Sequence, residues 1–132
     1  MAEFTHDRIY TYIRGKVLDA FPSMYITGDE EPIPAESEAV WIREMNHYTP
    51  KASVTLMHDE EVIHSAWEVQ VYTNLFDDGQ AEAYEIMRPV EKAFKELYFR
   101  ETSCTPVERV NNRVARLVAR FERIIGGGDQ MP

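Results

Sequence analysis

The chain has 132 residues, of which 44% are hydrophobic and 11% aromatic. This length and composition fit one folded domain with a hydrophobic core and exclude a disordered chain. Its 23 acidic and 14 basic residues give a net charge of −9, which excludes the broad basic surface that tight nucleic-acid binding needs. The single cysteine, Cys104, excludes an internal disulfide and is typical of a reducing compartment.

The N-terminal segment predicts an amphipathic helix. Thr5 can cap it, Asp7 lies in the positively polarised first turn, and Phe21 with Pro22 should end it. The apolar positions of this helix share one face: Ile9, Ile13 and Val17, with Leu18 as a further candidate. The charges spread over residues 1–14 indicate neither a signal peptide nor a membrane span, so we expect no membrane partner.

Three stretches predict β-strands: 24–26, 39–45 and 66–74. The acidic segment 28–38 contains two prolines and indicates an exposed loop. Segment 47–65 predicts either a hairpin arm or a long loop. A loop of that length in a compact domain is usually functional, so we expect it to contact a partner.

A second helix is predicted after the last of these strands. Apolar residues recur there at steps of three and four: Ala83, Tyr84, Met87, Val90, Phe94 and Leu97. Pro89 lies inside this pattern, where it removes a backbone hydrogen bond and clashes with the preceding turn. We therefore expect a kink or break near Arg88.

The segment 106–125 supports two incompatible interpretations. Residues 105–108 have the form of a capping box with proline at the first helical position, and an apolar stripe follows, which slightly favours a helix. The alternation of Ala115, Leu117, Ala119 and Phe121 with polar or charged residues instead favours a strand after a turn at 111–112. On either interpretation, residues 1–125 form one α/β domain and residues 126–132 a flexible tail.

The order of elements resembles the tail terminator or tail completion proteins of long-tailed bacteriophages, which join head and tail. The resemblance rests on the N-terminal helix, a two-strand region, the strand 67–74, a helix ending at 97–99, and the closing segments 113–121 and 124–125. It covers most of the chain as a pattern, without a sharp motif.

The resemblance implies an α+β fold in which a small mixed or antiparallel sheet is flanked by the N-terminal and central helices. It also implies that segment 113–124 is extended. A protein of this class forms a ring, commonly a hexamer, at the head-proximal end of the tail tube. Its expected partners are copies of itself, the tube protein and a head-side connector or stopper protein. DNA is only passing cargo, and the location is the virion after assembly in the host cytoplasm.

Several side chains are candidates for the ring or partner interface, although aromatic residues in strands more often belong to the core. These are four aromatic residues, three apolar residues of the arm and two arginines: Trp41, Trp67, Tyr72, Phe76, Val54, Leu56, Met57, Arg116 and Arg120. For the arginines the simpler interpretation is a solvated face with ion pairs to Glu108 and Glu122.

Acidic residues of the arm are candidates for the lining of the ring. Asp59, Glu60 and Glu61 belong to a predicted turn, where solvated loop residues are the simpler interpretation. If they face the lumen, their charge would repel the phosphate backbone and let DNA pass without sticking.

Two other classes of function remain open. An adaptor that binds a cellular protein would show the same aromatic strands and acidic loops. A metal-dependent hydrolase would need ligands such as His58 and His64, yet their spacing of six matches neither a helical zinc pair nor a tight turn. We expect no cofactor, no bound metal and no enzymatic activity, because neither Cys104 nor the glycines at 126–128 have the context of a catalytic site.

Overall fold

The computed structural model describes residues 5–28, 39–48, 62–74, 79–107, 114–126, 129 and 131. These residues form two helices and five strands. In chain order the elements are α1 (His6–Ala20), β1 (Tyr25–Thr27), β2 (Ala39–Tyr48), β3 (Val62–Asn74), α2 (Gly79–Glu96), β4 (Arg100–Val107) and β5 (Val114–Gly126).

The strands form one mixed sheet in the order β1-β2-β3-β5-β4. β1 runs parallel to β2, and the other neighbouring pairs are antiparallel. The central pair, β3 with β5, is in register from Val62 opposite Gly126 to Asn74 opposite Val114. The expected small α+β fold with a mixed sheet and two helices is therefore confirmed.

Both helices contribute to one core on the same face of the sheet. α1 buries the predicted stripe of Ile9, Ile13 and Val17, and the Thr5 hydroxyl accepts a hydrogen bond from the Arg8 backbone N–H at 3.3 Å. α1 ends at Ala20, directly before Phe21 and Pro22, as predicted.

An aromatic stack joins α2 to the two central strands. The ring of Phe94 lies 4.2 Å from that of Phe121 on β5, and 6.2 Å from that of Trp67 on β3. The expected break near Arg88 is wrong, because α2 continues through Pro89 to Glu96, and the alternative of a kink there stays a prediction. Burial of its apolar face against the sheet outweighs the one hydrogen bond that proline cannot make.

The C-terminal segment is a strand, and the helical interpretation of 106–125 is wrong. Leu117, Ala119 and Phe121 of β5 point into the core, while the alternating residues point away from it. Pro106 belongs to β4, the outermost strand of the described sheet, where a residue that cannot donate a hydrogen bond is tolerated.

The ends of the predicted arm belong to the sheet. Tyr48 of β2 pairs with His64 of β3, so the chain between them connects two antiparallel neighbours. Residues 49–61 lie outside the described part. At the C-terminus, Gly126 ends β5, and the Asp129 carboxylate accepts hydrogen bonds from the Gly126 N–H and from Arg123. The flexibility of 126–132 stays a prediction.

Candidate functional site

Side chains on the face of the sheet opposite the helices form the candidate site. Trp67, Val69 and Val71 of β3 point into the core, so Glu68, Gln70 and Tyr72 point to the opposite side. We call this side the polar face. It comprises the latter three residues and their cross-strand neighbours on β2 and β5: Trp41, Arg43, Arg116 and Arg120.

Glu68 is the centre of the polar face. Its carboxylate accepts a hydrogen bond from Arg43 Nη2 at 3.3 Å on one side and from Arg120 Nε at 3.0 Å on the other. Gln70 Nε2 also donates to Glu68 at 3.0 Å, and the Tyr72 hydroxyl donates to Gln70 Oε1 at 2.7 Å. Three strands are thus linked by one continuous network of side chains.

The network keeps Glu68 ionised although its side chain is buried. Burial alone would raise the pKa of Glu68, but hydrogen bonds from Gln70 and Arg120 and the charges of Arg43 and Arg120 outweigh it, so the pKa is lowered. The side chains of Arg43 and Arg120 remain about half exposed, whereas the Glu68 side chain is almost fully buried. The polar face therefore presents fixed positive charge to its surroundings.

Two of these arginines lie over aromatic rings of the same face. The Arg43 guanidinium lies 4.9 Å from the centre of the Trp41 ring, and that of Arg116 lies 5.9 Å from the Tyr72 ring. Trp41 Nε1 donates to the Gly28 carbonyl at 3.1 Å. Among the described residues, the buried Nε of Arg116 has no hydrogen-bond partner. The ring of Tyr72 is thus the contact that the described residues show for the Arg116 guanidinium.

A row of larger side chains crosses the same face near the ends of β2, β3 and β5. Tyr48 pairs with His64, and His64 pairs with Ile124. The His64 and Tyr48 rings lie 5.0 Å apart. We call Tyr48, His64 and Ile124, together with the adjacent Tyr98, the apolar row.

A shallow cleft of about 340 Å³ adjoins the apolar row, and Tyr98, Arg100, Glu122 and Ile124 help to line it. Arg100 Nη2 lies 2.6 Å from Glu122 Oε1, and His64 Nε2 lies 3.5 Å from Glu122 Oε2. The hydrogen bond from Arg100 lowers the pKa of Glu122, and its effect exceeds that of burial. The cleft thus combines exposed apolar groups with an ion pair.

A separate cluster lies on the helix side of β4. Ligand atoms of Glu91, Glu101 and Cys104 all lie within 4.8 Å of one another. Burial, a hydrogen bond with Glu91 and the charge of Glu91 raise the pKa of Glu101 to about 7. Burial and the two neighbouring carboxylates raise the pKa of the Cys104 thiol to about 11. The thiol therefore stays protonated at neutral pH, unlike a reactive cysteine.

The structure brings four of the predicted interface residues together. Trp41, Tyr72, Arg116 and Arg120 all lie on the polar face. Trp41 and Tyr72 are each only 4% exposed and belong to a small buried cluster with Ala39, so the arginines are the two of these four that keep exposed surface. Trp67 instead is fully buried on the opposite face, so it packs in the core of the single chain and has no surface to offer to a partner. The remaining candidates lie outside the described residues: Val54, Leu56, Met57, Phe76, Asp59, Glu60 and Glu61.

Sequence reasoning missed the centre of the site. It assigned the arginine partners to Glu108 and Glu122, whereas Arg120 bonds to Glu68 and Glu122 bonds to Arg100. A charged residue between the two apolar residues Trp67 and Val69 was the available signal. Its partners depend on the strand order, which cannot be read from spacing along the chain.

Comparison of the chain with protein-family models and with curated proteins gave no match. The class is therefore defined by the fold and the site: a small α+β protein in which the described residues form two helices on one face of a five-stranded mixed sheet and an arginine-rich network on the other. Neither described helix combines the length and apolar character that crossing a membrane requires.

Proposed function

We propose that this protein is a ring-forming structural protein of the tail terminator class in a long-tailed bacteriophage. In this proposal it binds copies of itself, stops growth of the tail tube at the head-proximal end, and joins the tube to a head-side connector or stopper protein. It carries out no bond-making chemistry. DNA passes through the ring as cargo, and the protein is part of the virion after assembly in the host cytoplasm.

The observation that carries the proposal is the arginine network of the polar face. Glu68 and two aromatic rings fix Arg43, Arg116 and Arg120 in place. Side chains that are ordered before binding lose less conformational entropy when a partner docks. A surface arranged in this way suits protein contact, and arginine is enriched in such contacts.

The order of elements also supports the proposal. The resemblance to tail terminators implies an extended C-terminal segment, against the slight preference of local sequence for a helix, and β4 and β5 are strands. The resemblance further implies helices beside a small sheet, as in this fold. These agreements concern the fold alone. The proposed role in assembly is tested by the experiment below.

Capping of tail tubes tests the proposed function directly. The purified protein is added to polymerising tube protein from the same phage, and tube lengths and tube ends are measured by negative-stain electron microscopy. We expect added density at one end of each tube and an arrest of elongation. Tubes that keep growing with bare ends at saturating protein would refute the proposal.

A matched pair of variants links capping to the polar face. Arg116→Ala removes a cation for whose buried Nε the described part of the chain offers no hydrogen-bond partner, so folding should be little affected. Arg14→Ala removes an exposed arginine of α1 and serves as the control. If the polar face contacts a partner, Arg116→Ala should weaken capping about tenfold or more, as loss of an interface arginine often does. Equal capping by both variants would exclude Arg116 from the contact.

A further inference from the structure

The last described residues of the chain fold back onto the end of β5. The Asp129 backbone N–H donates to the Gly126 carbonyl at 3.1 Å. The Asp129 carboxylate accepts hydrogen bonds from the Gly126 N–H at 2.8 Å and from Arg123 Nη2 at 2.6 Å. Met131, which is partly buried, packs against the hydrophobic core. We call Asp129 and Met131 together the C-terminal strap, which is attached through one charged and one apolar side chain.

Arg123 connects the strap to the end of α2. Its Nη1 donates to the Leu97 carbonyl at 2.8 Å, while its Nη2 donates to Asp129. The last carbonyl groups of a helix have no partner within the helix, and a cation placed there interacts favourably with the helix dipole. The Arg123 side chain is only 14% exposed, so water screens its ion pair with Asp129 less than it screens a surface pair.

The turn that follows α2 lies beside this contact. The Tyr98 N–H donates to the Lys95 carbonyl and the Phe99 N–H to the Phe94 carbonyl, both at 2.9 Å, which is the bond pair of a Schellman motif. Tyr98 has the left-handed φ of 63° that this motif requires, a value for which glycine is the usual residue. The Arg123 guanidinium lies 5.6 Å from the centre of the Tyr98 ring. Arg123 therefore helps to hold the turn after α2 in a strained conformation.

Closing of the strap has an entropic cost. Gly126 is followed in the sequence by two further glycines, and glycine loses more conformational freedom on ordering than any other residue. Against this cost stand the ion pair of Asp129 and the partial burial of Met131. Chain ends held by a small number of contacts open at a lower free energy than the core does.

We propose that the C-terminal strap is a reversible latch. It closes through Asp129 and Met131, opens about Gly126 while the sheet stays folded, and in opening loosens the turn after α2. Arg123 also lines the shallow cleft beside the apolar row. Opening of the strap removes the carboxylate of Asp129 from Arg123, so the position of the strap controls the charge that the cleft presents. This latch does not depend on the proposed ring.

Amide hydrogen exchange of the full chain, followed residue by residue by NMR, tests the latch. Asp129→Asn removes the charge of the strap and keeps its shape. We expect the Gly126 N–H to exchange about tenfold faster, because the bonds that Asp129 receives from Gly126 and Arg123 lose their charge assistance. The Phe99 N–H in the turn should also exchange faster, whereas the Ala119 N–H in the middle of β5 should exchange at the wild-type rate.

Two further variants complete the experiment. Asp19→Asn makes the same chemical change at an exposed position near the end of α1 and is the matched control. Met131→Ser removes the apolar half of the strap and leaves Asp129 in place. It should also speed exchange of the Gly126 N–H, because a latch closes as one unit. Circular dichroism would verify that all three variants are folded.

Four results would overturn the proposal. Equal Gly126 exchange in Asp129→Asn and Asp19→Asn would show that the carboxylate does not hold the strap. No effect of Met131→Ser on Gly126 would show that the two halves are independent. Ala119 exchange that rises as much as Gly126 exchange would show that the strap opens only when the domain unfolds. An unchanged Phe99 rate in Asp129→Asn would separate the strap from the turn.

Discussion

Replacement of Glu68 by Gln should destabilise the monomer by about 2 kcal/mol at neutral pH. Hydrogen bonds to charged groups contribute roughly 1.5–3 kcal/mol each, and the Glu68 carboxylate receives them from Arg43 and Arg120. Both guanidinium groups are about half exposed and would return to water, which reduces the loss. The Gln amide keeps the shape and still accepts one hydrogen bond.

The destabilisation should depend on pH in a defined direction. The pKa of Glu68 is lowered from its usual 4.5 in the folded protein, so the unfolded chain takes up its proton first as the pH falls. The contribution of the carboxylate is therefore complete above pH 4.5 and is lost as the pH falls through the folded pKa. The difference between wild type and Glu68→Gln should shrink over that range.

Urea unfolding of the monomer at pH 7 and at pH 3.5 measures both effects. At pH 7 the variant should also melt roughly 6–8 °C below the wild type, from the usual size scaling of Tm. Glu85→Gln, which changes an exposed carboxylate of α2, is the control. A Glu68→Gln protein within about 0.5 kcal/mol of wild type at pH 7 would refute the reasoning, because desolvation would then cancel the ion pairs.

Three further predictions concern single elements. Because the pKa of Glu101 is raised to about 7 in the folded protein, stability should fall as the pH rises from 4.5 to 7. Glu101→Gln should flatten this dependence of Tm on pH, and an unchanged dependence would exclude a proton shared with Glu91. Tyr98→Gly should relieve the left-handed backbone strain and stabilise the monomer by about 0.5–1 kcal/mol in urea titrations. A destabilised variant would show that contacts of the exposed Tyr98 ring stabilise the fold by more than the backbone strain destabilises it. Pro89→Ala should restore the missing hydrogen bond and stabilise α2 by about 1–3 kcal/mol; slower amide exchange in α2 would confirm it, and faster exchange would contradict it.

Local sequence signals were sufficient for α1. Its cap at Thr5 and its apolar stripe are all within fifteen residues, so they depend on no distant partner. The strands β2 and β3 were also predicted, although each is longer than its apolar core. Their ends near Tyr48 and His64 are polar and become strand only because they pair with each other.

The C-terminal segment shows where local signals fail. The capping box at 105–108 and the helical spacing after it are genuine features of the sequence. They are outweighed because β5 pairs with both β3 and β4 along most of its length. Such pairing depends on residues some fifty positions away, as the bond between Glu68 and Arg120 illustrates, and no window of sequence contains both partners.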